Sequence, residues 1–122
     1  MAKTIKITTD NILSIIDINW DIESYANVLD CSYTETVKTE YMYALFDDTV
    51  VMIVDSDGDF NNKSINILGS VLYGTPIHHQ PILGDIIFGL QRGPQILPPE
   101  NIEQMKNLLL NKFDFLKETE IF

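Results

Sequence analysis

Val50-Val51-Met52-Ile53-Val54 is the longest uninterrupted apolar run of the chain. A strand that is apolar on both faces is typical of the centre of a sheet. Before this run come Glu40 to Phe46 and then the pair Asp47-Asp48. Aspartates suit turns, so the pattern predicts a hairpin whose second strand lies in the centre of a sheet.

Upstream of this run, the residue pattern predicts a β-hairpin, a helix and a further strand. Lys3 to Thr9 alternates apolar and polar residues, Asp10-Asn11 suits a turn, and Ile12 to Ile18 is rich in β-branched residues. Trp20 to Leu29 carries apolar residues at helical spacing. Cys31 to Thr39 alternates again and is rich in threonine, which favours a strand.

Downstream of the run, the pattern predicts a loop, a strand and a long helix. Ser56 to Lys63 is polar and predicts a loop, while Ser64 to Tyr73 suits either a short helix or an irregular segment. Pro76 to Gly84 predicts an extended loop, and Asp85 to Leu90 predicts a strand. Apolar residues then recur every three or four positions, which predicts an amphipathic C-terminal helix over about residues 99–117.

These elements follow the order ββαβββα in a single domain, residues 1–122. Strands that pair through hairpins give a mixed, mostly antiparallel sheet with the helices on one face. The sequence therefore predicts an α+β fold with about five strands and two helices. The opening hairpin followed by a helix allows a β-grasp-like arrangement.

The charge balance limits the classes of partner. Eight Lys and Arg against eighteen Asp and Glu give a formal net charge of −10. Direct nucleic-acid binding is not expected, because a surface that binds DNA or RNA needs basic residues to neutralise phosphates. No apolar run approaches the roughly twenty residues that cross a bilayer, and the first residues lack the apolar core of a signal peptide. We therefore expect a cytoplasmic protein without a membrane segment.

The acidic turn Asp55-Ser56-Asp57-Gly58-Asp59 is the sharpest candidate for a metal site. Alternating carboxylates suit a hard cation, but the glycine and glutamate positions of an EF-hand loop do not match. A solvated turn after a strand is the favoured interpretation. A metal-dependent hydrolase that uses Asp55, Asp57, Asp59 or His78 remains an alternative.

No motif of nucleophilic or acid–base catalysis is present, so we predict no catalytic residue and no cofactor. Tyr33, Tyr41 and Tyr43 lie on segments predicted as strands, beside acidic neighbours. Tyrosine anchors next to carboxylates suit a protein interface. Arg92, the one arginine of the chain, suits a turn or the rim of such an interface.

Part of the chain resembles the domain-of-unknown-function 3846 family. Tyr41 to Asp48, Val50 to Asp55 and Asp57-Gly58 resemble the family's short strand, Phe-Asp-Asp turn, apolar strand and acidic-Gly turn. Val71 to Gly74 and Gly84 to Gly89 resemble its closing Tyr-Gly and Asp-Ile-Ile-x-Gly segments.

The resemblance covers about residues 3–90. The family's Leu-Pro-x-Asn-Arg has no counterpart here, where Asn66 to Ser70 stands instead. The resemblance implies an accessory protein of bacteria, phages or plasmids, and it transfers no catalytic residue.

The leading hypothesis from the sequence is a small, acidic, non-enzymatic protein-binding or regulatory module, of mobile-element type, with an unknown protein partner. One alternative is an acidic mimic of nucleic acid that occupies the groove of a DNA- or RNA-binding protein. The metal-dependent hydrolase is the other. On the predicted C-terminal helix, a single apolar stripe does not include Leu108, Leu110 and Phe115. We therefore expect these three side chains to be buried against the sheet or in a homodimer.

Overall fold

The computed structural model describes residues 2–74 and 80–119. Their elements are, in chain order, β1 (Ala2–Ile7), β2 (Ile12–Ile18), α1 (Ile22–Val28), β3 (Thr34–Val37), α2 (Glu40–Phe46), β4 (Val50–Asp55), α3 (Ile67–Tyr73), β5 (Ile86–Arg92), β6 (Gln95–Leu97), α4 (Ile102–Lys112) and β7 (Lys117–Glu118). The predicted α+β fold with a mixed sheet is confirmed. The described residues hold seven strands instead of about five and four helices instead of two, so the predicted element order is wrong in detail.

The seven strands form one open sheet in the order β3-β4-β5-β1-β2-β7, with β6 beside β5. The predicted opening hairpin is confirmed, and its register runs from Ala2 opposite Ile18 to Ile7 opposite Leu13. Asn11 takes a left-handed conformation in its turn, with φ 65°. β1 also pairs antiparallel with β5, and β2 pairs parallel with β7.

Helices cover both faces of the sheet, so the prediction of helices on one face is wrong. α2, α3 and α4 lie on one face, where Met42, Leu68 and Leu109 pack with side chains from five strands. The single helix α1 covers the other face, where Tyr25 and Leu29 pack on strand side chains. All six residues of β4 are buried, as expected for a strand with both faces covered.

The segment Glu40–Phe46 forms helix α2, so the prediction of a strand there is wrong. Thr39 caps this helix, and its hydroxyl oxygen accepts a hydrogen bond from the backbone N–H of Met42 at 3.2 Å. Asp47 ends the helix in a left-handed conformation with φ 52°. The alternation around Tyr41 and Tyr43 is therefore not strand alternation, and the turn of aspartates joins a helix to a strand.

The segment after the acidic loop forms helix α3 and is tied to β1 and to the residues just before β5. Asn66 is fully buried, and its side-chain oxygen accepts from the N–H of Gly69. Its amide nitrogen donates to the carbonyls of Ile7 and Gly84, each at 3.0 Å. One side chain therefore caps α3 and connects β1 to the start of β5.

The predicted C-terminal helix is too long. α4 ends at Lys112, because Phe113 adopts an extended conformation and the chain turns back so that β7 pairs with β2. Leu110 and Phe115 are partly buried against the main core, and Leu108 is half-buried. Burial within this chain, as predicted, thus accounts for Leu110 and Phe115, two of the three apolar residues outside the main stripe.

A short strand, β6, escapes prediction because it has three residues between Gly93 and Pro98. It pairs with the second half of β5, whereas the first half of β5 pairs with β1. Gly89 lies at this point, and a Cβ atom there would lie 2.6 Å from Cγ2 of Ile96. Glycine is therefore required where β6 approaches β5. Among residues 2–74 and 80–119, no helix combines the length and apolar character needed to cross a membrane.

Candidate partner-binding surface

The outer edge of β3 is the starting point of the candidate site. β3 is the first strand in the order of the sheet, and within the described residues it pairs with β4 alone. Tyr33 precedes β3, and the residue is 69% exposed. Its carbonyl accepts hydrogen bonds from the backbone N–H and the hydroxyl of Ser56, both at 3.1 Å. The backbone is thus fixed while the aromatic ring faces outward.

A groove of about 370 Å³, here called the acidic groove, lies beside β3 at the end where β4 finishes. Glu35 and Val54, which are opposite each other in register, contribute to it from the strands. The loop after β4 and the segment before β5 form its other walls. The lining includes Glu35, Val54, Asp59, Pro81, Ile82 and Leu83.

Asp55 holds the loop wall of the acidic groove in place. Its side chain is fully buried, and one carboxylate oxygen lies 2.9 Å from Nζ of Lys63 and 3.0 Å from the amide nitrogen of Asn61. The other accepts from the N–H of Asp57 at 2.8 Å. Lys63 also donates to the carbonyls of Leu29 and Asp30, at 2.6 and 2.7 Å. The ion pair therefore joins the loop to the end of α1.

The balance of these contacts keeps Asp55 ionised. Burial by itself would raise the pKa of the carboxyl group, because it disfavours the charged form. The hydrogen bonds from Asn61, Asp57 and Lys63 outweigh burial, and the pKa of Asp55 lies below its ordinary value. The charge of Asp55 is thus compensated inside the protein.

The structure does not bring the predicted metal ligands together. Both carboxylate oxygens of Asp55 are occupied by Asp57, Asn61 and Lys63. Asp59 lines the groove and Asp57 is exposed. In the part of the chain that the structure describes, no three His, Cys, Asp or Glu side chains are arranged to hold a metal ion. His78 lies outside the described residues.

A second groove, here called the tyrosine groove, lies where β3 gives way to α2. Its volume is about 370 Å³, and it is lined by Lys38, Thr39, Glu40, Tyr43, Thr49 and Val50. Tyr43 is 56% exposed at this groove. Tyr41 is also exposed on α2 but does not line it. The three predicted tyrosines therefore surround β3 and α2 and do not share one strand.

Arg92 forms a paired contact beside the tyrosine groove. Its Nη1 and Nη2 atoms lie 3.0 Å from the two carboxylate oxygens of Asp48, and Nη1 donates to the hydroxyl of Thr49 at 2.7 Å. These hydrogen bonds lower the pKa of Asp48 and raise that of Arg92. The guanidinium group is therefore committed to an internal partner, and it fixes Thr49, a wall of the tyrosine groove.

Sequence reasoning named Glu35 only as an acidic neighbour of the tyrosines, and it missed Lys38. Both belong to the segment that was predicted as a strand, and each lines one of the two grooves. The available signal is the opposite charge of Glu35, within β3, and Lys38, directly after β3. The grooves themselves depend on distant segments, which no local pattern indicates.

Comparison of the chain with protein-family models, curated protein sequences and solved structures found no match. The resemblance of residues 3–90 to the domain-of-unknown-function 3846 family stays a prediction.

Proposed function

We propose that this chain is a non-enzymatic protein-binding module that pairs the outer edge of β3 with an extended segment of its partner. The observation that supports this function is the edge strand itself, which has a groove at each end and the exposed Tyr33 ring at its start. Tyr33 and Tyr43 are the aromatic anchors of this interface.

The hydrogen-bond pattern identifies the backbone groups that a partner would meet. The carbonyl of Tyr33 accepts from Ser56, the next residue opposite it in the β3–β4 register. In an antiparallel pair, hydrogen-bonded and non-hydrogen-bonded positions alternate. The backbone groups of Glu35 and Val37 therefore face β4, and those of Thr34 and Thr36 face outward.

When a partner adds a strand to a sheet edge, different contacts provide affinity and specificity. Main-chain hydrogen bonds hold the added segment, and pockets for alternate side chains select its sequence. The four residues of β3 span roughly 13 Å, so one short segment reaches both grooves. A short edge with charged residues resists indiscriminate pairing. Selection would therefore depend on the acidic and tyrosine grooves.

The substitution Thr36→Pro tests this function. It removes an outward N–H group but no hydrogen bond of the β3–β4 ladder, and proline is tolerated on edge strands. Thr36→Val is the matched control, because it keeps the N–H group. Both variants are compared with the unaltered chain by circular dichroism to establish that they fold.

The probe is a library of random linear peptides displayed on phage, selected on the unaltered chain. We expect clones that bind this chain and Thr36→Val but lose binding to Thr36→Pro. Clones that bind Thr36→Pro equally well, or the failure to recover any clone, would contradict the proposed function.

A further inference from the structure

We infer that the partner segment is basic and that it places a Lys or Arg side chain opposite Glu35, in the acidic groove. The inference rests on the proposed function and names the chemistry of the partner. It follows from the charges that the groove leaves uncompensated and from the register of an added strand.

Two carboxylates of the acidic groove have no cationic partner among residues 2–74 and 80–119. Asp55 is paired with Lys63, so its charge is balanced within the fold. Glu35 and Asp59 also line the groove, and neither forms an ion pair with any lysine or arginine in the described residues. Charges of one sign in a concave site reinforce each other and attract the opposite charge.

The register of an added strand brings a partner side chain to this groove. The backbone groups of Glu35 face β4, so the residue opposite it in an added antiparallel strand belongs to a non-hydrogen-bonded pair. In such pairs the side chains lie closest, and opposite charges stabilise the pairing. A Lys or Arg at that position reaches the carboxylate of Glu35.

The remaining lining suits the stem of a long basic side chain. Val54, Pro81 and Leu83 contribute apolar surface next to the two carboxylates. Lys and Arg bury their methylene groups on apolar surface while the charged end meets polar partners. The groove therefore combines both features that such a side chain requires.

A second copy of this chain fits the edge less well. Each copy carries a formal charge of −10. Two chains that each carry this charge repel one another when they meet edge to edge. Like charges brought together across an interface oppose association. The charge thus favours a basic partner over a homodimer.

The test uses the displayed random peptides and two further variants. Glu35→Gln removes the charge that the partner would meet. Glu23→Gln makes the same change of net charge on α1, on the other face of the sheet, and is the matched control. We expect Lys and Arg to be enriched in clones selected on the unaltered chain.

Replacing the basic residue of a selected peptide by Gln is expected to weaken binding about three- to fivefold at low salt. This difference should shrink at high salt and disappear on Glu35→Gln, while Glu23→Gln leaves it unchanged.

Other results would overturn the inference in distinguishable ways. Clones that need the Thr36 N–H group but show no basic preference would refute the basic partner and leave the proposed function standing. Clones that bind Thr36→Pro as tightly as the unaltered chain would refute both the basic partner and the proposed function. A dimer in analytical ultracentrifugation that dissociates in Thr36→Pro would show that a second copy occupies the edge.

Discussion

Asp55→Asn is expected to lower the free energy of unfolding by about 3 kcal/mol at pH 7, because it breaks a buried ion pair. The carboxylate is fully buried, and the side chain of Lys63 is 17% exposed. Asparagine keeps an acceptor for the N–H of Asp57, but its amide group would face two donors, Lys63 and Asn61. Lys63 keeps the carbonyls of Leu29 and Asp30, which places the loss at the lower end of the range for buried pairs.

Urea denaturation followed by circular dichroism measures this loss, since urea is uncharged and leaves the ion pair unscreened. Asp57→Asn is the matched control: it changes the net charge equally at an exposed position, and we expect its effect to stay within about 0.5 kcal/mol. A double-mutant cycle with Lys63→Met should give a coupling energy of about 2 kcal/mol.

The effect of Asp55→Asn should also depend on pH. The pKa of Asp55 is lowered in the folded protein, so its stabilising contribution is complete above the unfolded value of about 4. The contribution is lost as the pH falls through the lower folded value. The loss of free energy of unfolding in Asp55→Asn, relative to the unaltered chain, should therefore be the same at about pH 7 and pH 5 and smaller at about pH 3. Equal stability of Asp55→Asn and Asp57→Asn at pH 7 would refute the reasoning.

Three further substitutions test other contacts. Asn66→Ala should cost about 3 kcal/mol in urea denaturation, because three buried backbone groups lose their partner, and a cost below about 1 kcal/mol would contradict this. Gly89→Ala should cost about 2 kcal/mol by the same assay, since its Cβ would meet Ile96, and Ile96→Ala in the same chain should recover part of the loss. Arg92→Gln should raise the pKa of Asp48 towards its ordinary value in an NMR titration, and an unchanged pKa would mean that the pair does not form in solution.

Local pattern sufficed for the elements whose neighbours in sequence are also neighbours in space. The hairpin of β1 and β2 was predictable because alternation and turn residues lie together, and β4 was predictable because five apolar residues in a row need cover on both faces. The segment Glu40–Phe46 was wrongly predicted as a strand because Tyr41 and Tyr43 occupy alternate positions. The cap at Thr39 and the buried Met42 instead favour a helix.

The candidate site was predictable only in its residue types. Tyr33, Tyr41 and Tyr43 were proposed as anchors of a protein interface; all three are exposed, and the anchor role stays a prediction. The sequence did not reveal that Arg92 meets Asp48, or that Asp55 meets Lys63, because each contact depends on the folding of a distant segment. The prediction of Asp55 as a metal ligand has the same limit. The sequence of the acidic turn does not show that Lys63, from elsewhere in the fold, neutralises one of its carboxylates.

The pairing of β1 with β5 and of β2 with β7 has a consequence for synthesis on the ribosome. The β1–β2 hairpin leaves the ribosome before its neighbours in the sheet, which lie about eighty to one hundred residues later in the chain. A two-stranded hairpin is marginally stable by itself in water. The nascent chain therefore carries this hairpin without its sheet neighbours until β5 and β7 have been translated, and chaperones would meet the growing chain during that interval.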